Sequence, residues 1–177
     1  MLKNPKLLLA VDNCFAYKRW TRPDKWMRII KSIGFSHVEA SADTEADPMY
    51  MGEGYMKSWT YELKKAQNET GICVINLYSG HGTYNLLGLT NPDGLQRRRL
   101  IDKWFKPMLD IAGILECGMG FFTQGLPNWI LNDTDKYHKQ YDILVEDLGE
   151  IAKYACIAGC KKISLEQMYS PHMIPFT

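Results

Sequence analysis

The sequence has neither an excess of one charge nor a long apolar run, and both absences exclude classes of protein. Its 21 lysines and arginines and its 20 aspartates and glutamates give a formal net charge of +1. With no excess charge to attract phosphates or anionic lipids, neither nucleic acid nor a membrane is expected as a partner. The apolar run Leu7–Val11 is shorter than a signal-peptide core, and no stretch reaches the length of a membrane-spanning helix. A cytoplasmic protein is therefore expected.

Cysteine occurs in no pattern that indicates a disulfide framework or a zinc site. The five cysteines are an odd number, and no two of them form a CxxC pair. Reduced thiols in the cytosol are the expectation. Glycine is likewise absent from the first predicted turn, residues 12–17 (DNCFAY). This turn therefore cannot cradle a pyrophosphate with bare backbone, as the first turn of an open nucleotide-binding sheet does.

The sequence does contain a regular alternation of strand and helix patterns. Apolar or alternating segments predict five strands, at residues 7–11, 35–40, 72–78, 119–123 and 162–166. Apolar residues at helical spacing predict four helices between them, within residues 21–33, 54–69, 91–115 and 133–155. Pro107 lies inside the third helix and is expected to kink it, because proline removes a backbone donor. The alternation predicts an α/β domain with a parallel sheet.

The predicted helices have faces that the pattern assigns either to the core or to solvent. Leu95 in the third helix, and Tyr141 and Val145 in the fourth, fall on the apolar stripes and are expected to be buried. The run Arg97–Arg99 could suggest a phosphate site, but it lies away from the apolar stripe. A solvated outer face is therefore the expectation for these arginines.

A parallel sheet of this kind can close in two ways, as an open doubly wound sheet or as a barrel. The loops that follow the predicted strands are long and are rich in polar and aromatic residues, as at the catalytic face of a (β/α)8 barrel. We therefore predict one domain of TIM-barrel type over residues 1–177. A barrel usually needs ~250 residues, so this chain is expected to stop after about five βα units.

Polar residues are concentrated where the predicted strands end, and a barrel would bring all these ends to one mouth. The candidate site residues are Asp12, Glu39, His81, Gln124, Glu166 and His172. Glu166 is the strongest, because a carboxylate at the end of a buried strand needs a cation or a donor. A lysine partner or a capped turn would satisfy it equally well. Asp12 could instead be a turn residue, and Glu39 a structural ion-pair partner.

Two of the candidates are histidines in unusual loops. His81 lies between two glycines in residues 79–83 (SGHGT), which suits a loop built closely around a ligand. A flexible turn with an exposed imidazole would have the same sequence. His172 lies in a loop stiffened by Pro171 and Pro175, which suits either a positioned ligand contact or a rigid connection.

The strand segments resemble those of the xylose isomerase-like TIM barrel superfamily. The resemblance runs through LLLAVDNCFAYKRW, HVEAS, VINLYSGHGTY, GMGFFTQGLP and ISLEQMYSPHMIPFT. Within the superfamily, these segments are most similar to sugar and sugar-phosphate isomerases and epimerases. The relevant members are the erythrulose-phosphate and hydroxypyruvate isomerase types and the ketose 3-epimerases.

This resemblance implies a divalent metal, such as Mn²⁺ or Mg²⁺, and a sugar or sugar-phosphate substrate. It implies that Glu166 is both a metal ligand and one of two acid/base carboxylates that transfer a proton through an enediolate. The position of His172 implies contact with the terminal oxygens of the substrate, and a histidine there suits a charged or phosphorylated end. The remaining ligands, an aspartate, a histidine and a glutamate, are expected downstream of this sequence.

Two alternatives to a sugar isomerase or epimerase remain open. One is a metal-dependent phosphodiesterase of the apurinic-endonuclease type on the same fold. It would need more histidines at strand ends and a basic groove, and the net charge of +1 disfavours it. The other is a non-catalytic barrel fragment, whose unpaired strand edges would need a cover. Such a fragment could pair with another copy, so a homo-oligomer is among the expectations.

Overall fold

The structure, a computed structural model, describes residues 7–17, 19, 22–79, 85–167 and 172–173. The strands are β1 (Val11–Asp12), β2 (His37–Ser41), β3 (Cys73–Ser79), β4 (Gly118–Phe121) and β5 (Ile163–Leu165). The α-helices are α1 (Pro23–Ser32), α2 (Ala42–Glu45), α3 (Glu53–Thr70), α4 (Gly94–Leu100), α5 (Lys106–Leu115), α6 (Asn128–Leu131) and α7 (Thr134–Ala158). Short 3₁₀ segments cover Asn13–Ala16 and Asn85–Thr90.

All five strands are parallel, and each pairs with its neighbour in sequence, in the order β1-β2-β3-β4-β5. A doubly wound sheet reverses its strand order at a switch point, and the described sheet has no such reversal. Sequential parallel strands joined by helices are the winding of a (β/α)8 barrel. The predicted α/β fold with a parallel sheet of barrel type is therefore confirmed.

The core lies between the outer face of the sheet and the layer of helices. Val38, Leu77 and Met119 alternate along their strands to this face and are completely buried. From the helices, Trp26 of α1 and Leu63 of α3 close over them, also with no exposed surface. Because these apolar side chains fill the outer face, the polar residues that alternate with them point to the opposite, inner face of the sheet.

The first strand is shorter than the sequence predicted. The structure assigns only Val11 and Asp12 to β1, and the preceding residues of the apolar run lie outside the strand. Leu7 and Leu9 are 89% and 74% exposed, so the expectation of a buried strand there was wrong. Because β1 is an edge of the described sheet, this segment has a strand neighbour on one side only. The apolar run predicts a strand, but it does not predict how many of its residues pair with the neighbouring strand β2.

The predicted long helix over residues 91–115 is interrupted just before Pro107. Residues Ile101–Phe105 form a π-helical turn between α4 and α5, and Lys106 donates its backbone N–H to Ile101 O. The expected disruption therefore takes the form of a π turn, which is a recognised cause of bends in helices. Proline at the second position of α5 fits this arrangement, because the first turn of a helix needs no donor there.

Some expectations about helix faces were wrong. Leu95, Tyr141 and Val145 are 79%, 45% and 51% exposed, because other residues of the apolar stripes make the contacts with the core. Arg97 is also not simply solvated. Its Nε lies 2.8 Å from Asp147 Oδ2 of α7, with both side chains more than four-fifths buried. None of the described helices combines the length and the apolar character needed to cross a bilayer.

Candidate active site

A row of polar residues crosses the inner face of the sheet. The strand register pairs Asp12 with Glu39, Glu39 with Asn76, and Asn76 with Gly118. Paired residues of a parallel sheet project to the same side, so these residues share the inner face. Asn76 Nδ2 donates to Glu39 Oε1 at 2.5 Å, so the Glu39 carboxylate in the middle of β2 is oriented by an amide from β3.

Two glycines of β4 make room for this amide. A Cβ atom at Gly118 would lie 2.7 Å from Asn76 Oδ1, and a Cβ atom at Gly120 would lie 2.8 Å from Asn76 Nδ2. The side chain of Lys162 also lies over Gly118, with its Cγ 2.6 Å from the same Cβ position. Asn76 is 6% exposed, and its Oδ1 accepts no hydrogen bond from any residue in the described part of the chain. Asn76 Oδ1 is thus a buried acceptor on the inner face that receives no hydrogen bond from the described residues.

A tyrosine and a glutamate form the second polar contact of the inner face. Tyr78 Oη donates to Glu166 Oε2 at 2.8 Å, which joins β3 to the residue that follows β5. Burial, followed by the hydrogen bond and charge of Glu166 and the charges of Asp43 and Glu39, raises the pKa of Tyr78 well above its usual range. The phenol therefore stays neutral and remains a donor to the carboxylate. The ring of Phe122 packs edge-on against the ring of Tyr78, with 5.7 Å between the ring centroids.

A third contact lies at the same end of the sheet. Ser79 Oγ, at the end of β3, donates to Asp43 Oδ1 of α2 at 2.6 Å. The Asp43 carboxylate also raises the pKa of Tyr78 through its charge, as the Glu39 and Glu166 carboxylates do. Three negative charges therefore disfavour ionisation of the phenol.

Two of the site residues predicted from the sequence, Asp12 and Gln124, accept hydrogen bonds from backbone N–H groups of the loops in which they lie. Asp12 Oδ1 accepts from the backbone N–H of Cys14 at 2.7 Å and caps the 3₁₀ segment after β1. Gln124 has a positive φ of 80°, and its Oε1 accepts from the N–H of Gly125 at 2.8 Å. Asp12 thus makes the turn contact that was its alternative interpretation, although the register also places it in the polar row beside Glu39.

His172 joins the loops that follow β4 and β5. Its backbone carbonyl accepts from Leu126 N–H at 2.7 Å, and Met173 forms an isolated antiparallel bridge with Gly125. The imidazole Cδ2 would lie 2.9 Å from a Cβ atom at Gly125. The histidine is therefore held over the glycine of the neighbouring loop. His81, the remaining candidate, lies outside the described residues.

Sequence reasoning missed two residues that make polar contacts in the site, Tyr78 and Asp43. Tyr78 lies in the apolar run of the third strand (ICVINLY), where a tyrosine looks like a packing residue. Asp43 follows the second strand tip by two residues within ADTE. The available signal was the period of two, because Tyr78 is two residues after Asn76 and so shares its face.

The described residues do not complete a metal site. No group of three or more histidine, cysteine, aspartate or glutamate side chains in residues 7–79, 85–167 and 172–173, apart from the undescribed positions within them, could hold a metal ion. Ser164, Leu165 and Glu166 are all exposed, so the expectation of a carboxylate at the end of a buried strand was wrong. Glu166 offers one carboxylate, and Tyr78 donates to one of its oxygens. One such ligand is fewer than the three or more protein ligands of most catalytic metal sites.

Comparison with known proteins supplies both a family and structural neighbours. The family model described as xylose isomerase-like TIM barrel matches residues 27–176. No curated protein matches the chain. Three solved structures illustrate the similarity: a proposed xylose isomerase from Rhodospirillum rubrum, D-psicose 3-epimerase with D-tagatose from Clostridium cellulolyticum, and a xylose isomerase-like TIM barrel protein from Mycobacterium smegmatis in complex with magnesium.

The three structures are similar to this chain in fold over most of its length. Their TM-scores are 0.85, 0.69 and 0.54, with 21%, 17% and 15% sequence identity, over 96%, 96% and 83% of this chain. The match covers only 57%, 55% and 46% of their own lengths, so the chain spans about half of each of these proteins. Such low identities establish the fold alone. Since the family model matches most of the sequence, the chain belongs to the xylose isomerase-like TIM barrel family.

Proposed function

We propose that this chain carries part of the active site of a divalent-metal-dependent isomerase or epimerase of sugars or sugar phosphates. Glu166 is the acid/base carboxylate in this proposal, and residues 1–177 belong to one barrel domain. The observation that carries it is the contact between Tyr78 Oη and Glu166 Oε2 at the end of the sheet. The sugar isomerases and epimerases among the structural neighbours make this reaction class the natural one to test.

The Tyr78–Glu166 contact suits a carboxylate that moves a proton. One oxygen of Glu166 is held by a neutral phenol, and no other described residue hydrogen-bonds to its side chain. The second oxygen is therefore left to accept a proton from a carbon next to a carbonyl group, which gives an enediolate. Return of the proton to the neighbouring carbon isomerises the sugar, whereas epimerisation needs a second acid/base group that delivers a proton to the opposite face. Tyr78 keeps the carboxylate in one orientation during both steps.

The polar row beside this pair suits a polyhydroxylated substrate. Glu39 and Asn76 present a carboxylate and an amide with an unsatisfied carbonyl oxygen, and both are groups that bind sugar hydroxyls. His172 is a candidate for the terminal oxygens of the substrate or for a phosphate. Asp12, Gln124 and His81 complete the proposed substrate contacts.

The proposed metal would take Glu166 as one ligand. The family generally binds divalent metals, and one structural neighbour was solved with magnesium. The described residues alone supply too few ligands to hold this ion. Residues that the structure does not describe would have to complete the site.

The test is exchange of solvent deuterium into the carbon-bound positions of D-fructose and D-tagatose, followed by NMR with Mn²⁺ present. Two structural neighbours were crystallised with these sugars. We expect exchange by the chain, and a loss of ~10²–10⁴-fold in Glu166→Gln, which is the usual contribution of a general base. Glu146→Gln, at an exposed position of α7, is the matched control and should exchange at the wild-type rate.

Tyr78→Phe should lose less than Glu166→Gln, because the base remains but is no longer oriented. Equal exchange by the wild type and Glu166→Gln would refute the assignment of Glu166. Absence of exchange in every variant with Mn²⁺ or Mg²⁺ present would refute the isomerase or epimerase activity of this chain and favour a non-catalytic fragment.

A further inference from the structure

The polar row of the inner face continues beyond Gly118 to a lysine that directly precedes β5. Met119 pairs with Ile163, and the Met119 N–H donates to Lys162 O at 2.9 Å, so Lys162 lies opposite Gly118. Ile163 packs against the core on the outer face. Because neighbouring residues of an extended chain project to opposite sides, Lys162 projects to the inner face, as Asn76 does.

The missing side chain at Gly118 lets this lysine cross β4 towards the amide of Asn76. A Cβ atom at residue 118 would lie 2.6 Å from Lys162 Cγ and 2.8 Å from Lys162 Cε, so the lysine stem lies across the strand. The same Cβ atom would lie 2.7 Å from Asn76 Oδ1. The outer part of the lysine and the amide oxygen therefore approach one point from two neighbouring strands, and a side chain at residue 118 would stand between them.

Each of the two groups that meet over Gly118 lacks a partner among the described residues. Asn76 is 6% exposed, and its Oδ1 accepts no hydrogen bond from them. Buried carbonyl oxygens are normally hydrogen-bonded, because an unsatisfied one loses the contact that water would give it. The Lys162 ammonium group forms no hydrogen bond and no ion pair with a described residue either. A donor and an acceptor thus lie on either side of one missing side chain.

An ammonium group suits this acceptor because it need not leave water completely. Lys162 is exposed as a residue, and an ammonium group carries three N–H donors. Rotation about the terminal bonds of the side chain can direct one donor to Asn76 Oδ1 while the other two stay hydrated, so the charge avoids most of the cost of burial. A carbonyl oxygen has two lone pairs. Asn76 Oδ1 can therefore accept from Lys162 and still accept from a substrate hydroxyl.

The Asn76 amide passes this contact on to Glu39. Its Nδ2 donates to Glu39 Oε1 at 2.5 Å, and Glu39 forms no ion pair with a described residue. Hydrogen bonds in a chain polarise one another, so an amide that accepts from a cation is a stronger donor through its N–H. Lys162 also brings a positive charge to the row that contains the Glu39 carboxylate.

We propose that Lys162 is a positioning residue of the candidate site: its ammonium group reaches across Gly118, donates to Asn76 Oδ1, and thereby holds the Asn76 amide against the Glu39 carboxylate. The contacts themselves do not depend on the proposed sugar chemistry. Only their consequence, that Glu39 binds a substrate hydroxyl in one orientation, rests on the proposed function.

The experiment follows the side-chain NH₂ signals of Asn76 by ¹⁵N–¹H NMR in variants of Lys162. Lys162→Met keeps an unbranched stem over Gly118 and removes the ammonium group. We expect the proton signal of the N–H that binds Glu39 to move to lower chemical shift, because this hydrogen bond weakens. Lys162→Arg keeps a cationic donor, and its signal should lie closer to that of the wild type than the signal of Lys162→Met does.

Lys161→Met is the matched control for charge, because Lys161 is the preceding residue and its side chain is 63% exposed. It should leave the Asn76 signals unchanged. Gly118→Ala tests the path of the lysine, since the added methyl group occupies the space through which Lys162 crosses β4. In a Gly118→Ala background, Lys162→Met should cause no further shift of the Asn76 signals. If Gly118→Ala does not fold, the comparison of Lys162→Met with Lys162→Arg and Lys161→Met carries the test.

Two results would overturn the proposal. Asn76 side-chain signals that are the same in the wild type and in Lys162→Met would show that the ammonium group makes no contact with the amide. A shift caused by Lys162→Met that persists in full beside Gly118→Ala would show that the lysine does not act across Gly118. Neither readout involves sugar turnover, so failure of this inference is distinguishable from failure of the proposed activity.

The consequence for the substrate has its own readout. In the sugar exchange assay, Lys162→Met should raise KM by roughly tenfold, the equivalent of one hydrogen bond to a charged group, and leave kcat near the wild-type value. The reason is that Glu39 contacts the substrate in the proposed function, whereas the proton is moved by Glu166. A fall in kcat with KM unchanged would contradict this consequence.

Discussion

Gly113 is the position where an added methyl group has the most predictable effect on the fold. It lies in α5, and the last turn of α7 crosses it at very close range. A Cβ atom at residue 113 would lie 1.8 Å from the carbonyl oxygen of Ala158 and 2.9 Å from its carbonyl carbon. These are backbone atoms, so no side-chain rotation can relieve the overlap. Gly113→Ala therefore requires α5 and α7 to separate.

The magnitude follows from two opposing effects. Alanine is a better helix former than glycine by ~1 kcal/mol, which favours the variant. Ordinary contact requires about 3.4 Å, so the helices would have to separate by more than about 1 Å, and overpacking in a packed interior costs ~1–3 kcal/mol or more. The rigid backbone partner places Gly113→Ala at the upper end of that range. We expect a net loss of ~2 kcal/mol in the free energy of unfolding.

Gly149→Ala is the matched control, because Gly149 lies inside α7 with nothing within 4 Å of its Cβ position. It should gain up to ~1 kcal/mol from helix propensity alone. Urea unfolding followed by circular dichroism measures both changes, and the Tm of Gly113→Ala should fall by roughly 4–8 °C. A Gly113→Ala variant as stable as the wild type, beside a stabilised Gly149→Ala, would refute the close crossing of the two helices.

Three further predictions concern the inner face, the buried carboxyl group of Glu45 and the outer ion pairs. Gly120→Ala should displace the Asn76 amide from the β2 carboxylate and cost ~1–2 kcal/mol, measured by urea unfolding. Glu45 has a pKa raised from 4.5 to about 7, so the folded state binds more protons between these values. The stability of the wild type should fall by ~3 kcal/mol as pH rises from about 4.5 to about 7, and a Glu45→Gln variant that keeps this slope would contradict the assignment. Arg97→Met should cost ~3 kcal/mol, because its ion pair with α7 is largely buried, whereas Arg28→Met, which breaks an exposed pair, should cost less than ~1 kcal/mol in the same assay.

The fold was predictable because each element carries its own local signal. The continuous apolar run of β3 and the apolar stripe of α3 differ in period, and their alternation along the chain fixes a parallel sheet with few topologies to choose from. The extent of β1 was not predictable in the same way. Leu7 and Leu9 look like core residues by composition, and their exposure depends on which strands lie beside them.

The orientation of helices was only partly predictable for a related reason. Periodicity defines an apolar stripe, but the contacts within the stripe depend on which neighbour covers it. In α7, Leu144 and Ile151 are buried while Tyr141 and Val145, one position or one turn away, are exposed. Periodicity also failed to predict the burial of Arg97 in α4, because the residue that pairs with it, Asp147, is 50 residues away in sequence.

The concentration of polar residues at the ends of the predicted strands located the candidate site, but it did not show which of these residues contact one another. It brought Glu39 and Glu166 to one end of the sheet, as a barrel requires. It could not show that Asp12 and Gln124 turn their side chains to their own backbone, because that depends on local dihedral angles. The role of Tyr78 also needed the structure, since its partner is 88 residues away.

The two glycines of β4 indicate which part of the inner face is most constrained. Glycine weakens a strand interior, and alanine or a β-branched residue would serve the strand better at both positions. Yet a Cβ atom at Gly118 or Gly120 would strike opposite ends of the same Asn76 amide. Glycine at positions 118 and 120 therefore lowers the strand propensity of β4 and leaves space for the Asn76 amide. Since the amide in turn orients Glu39, the position of the Glu39 carboxylate in β2 depends on the absence of side chains at two positions of β4.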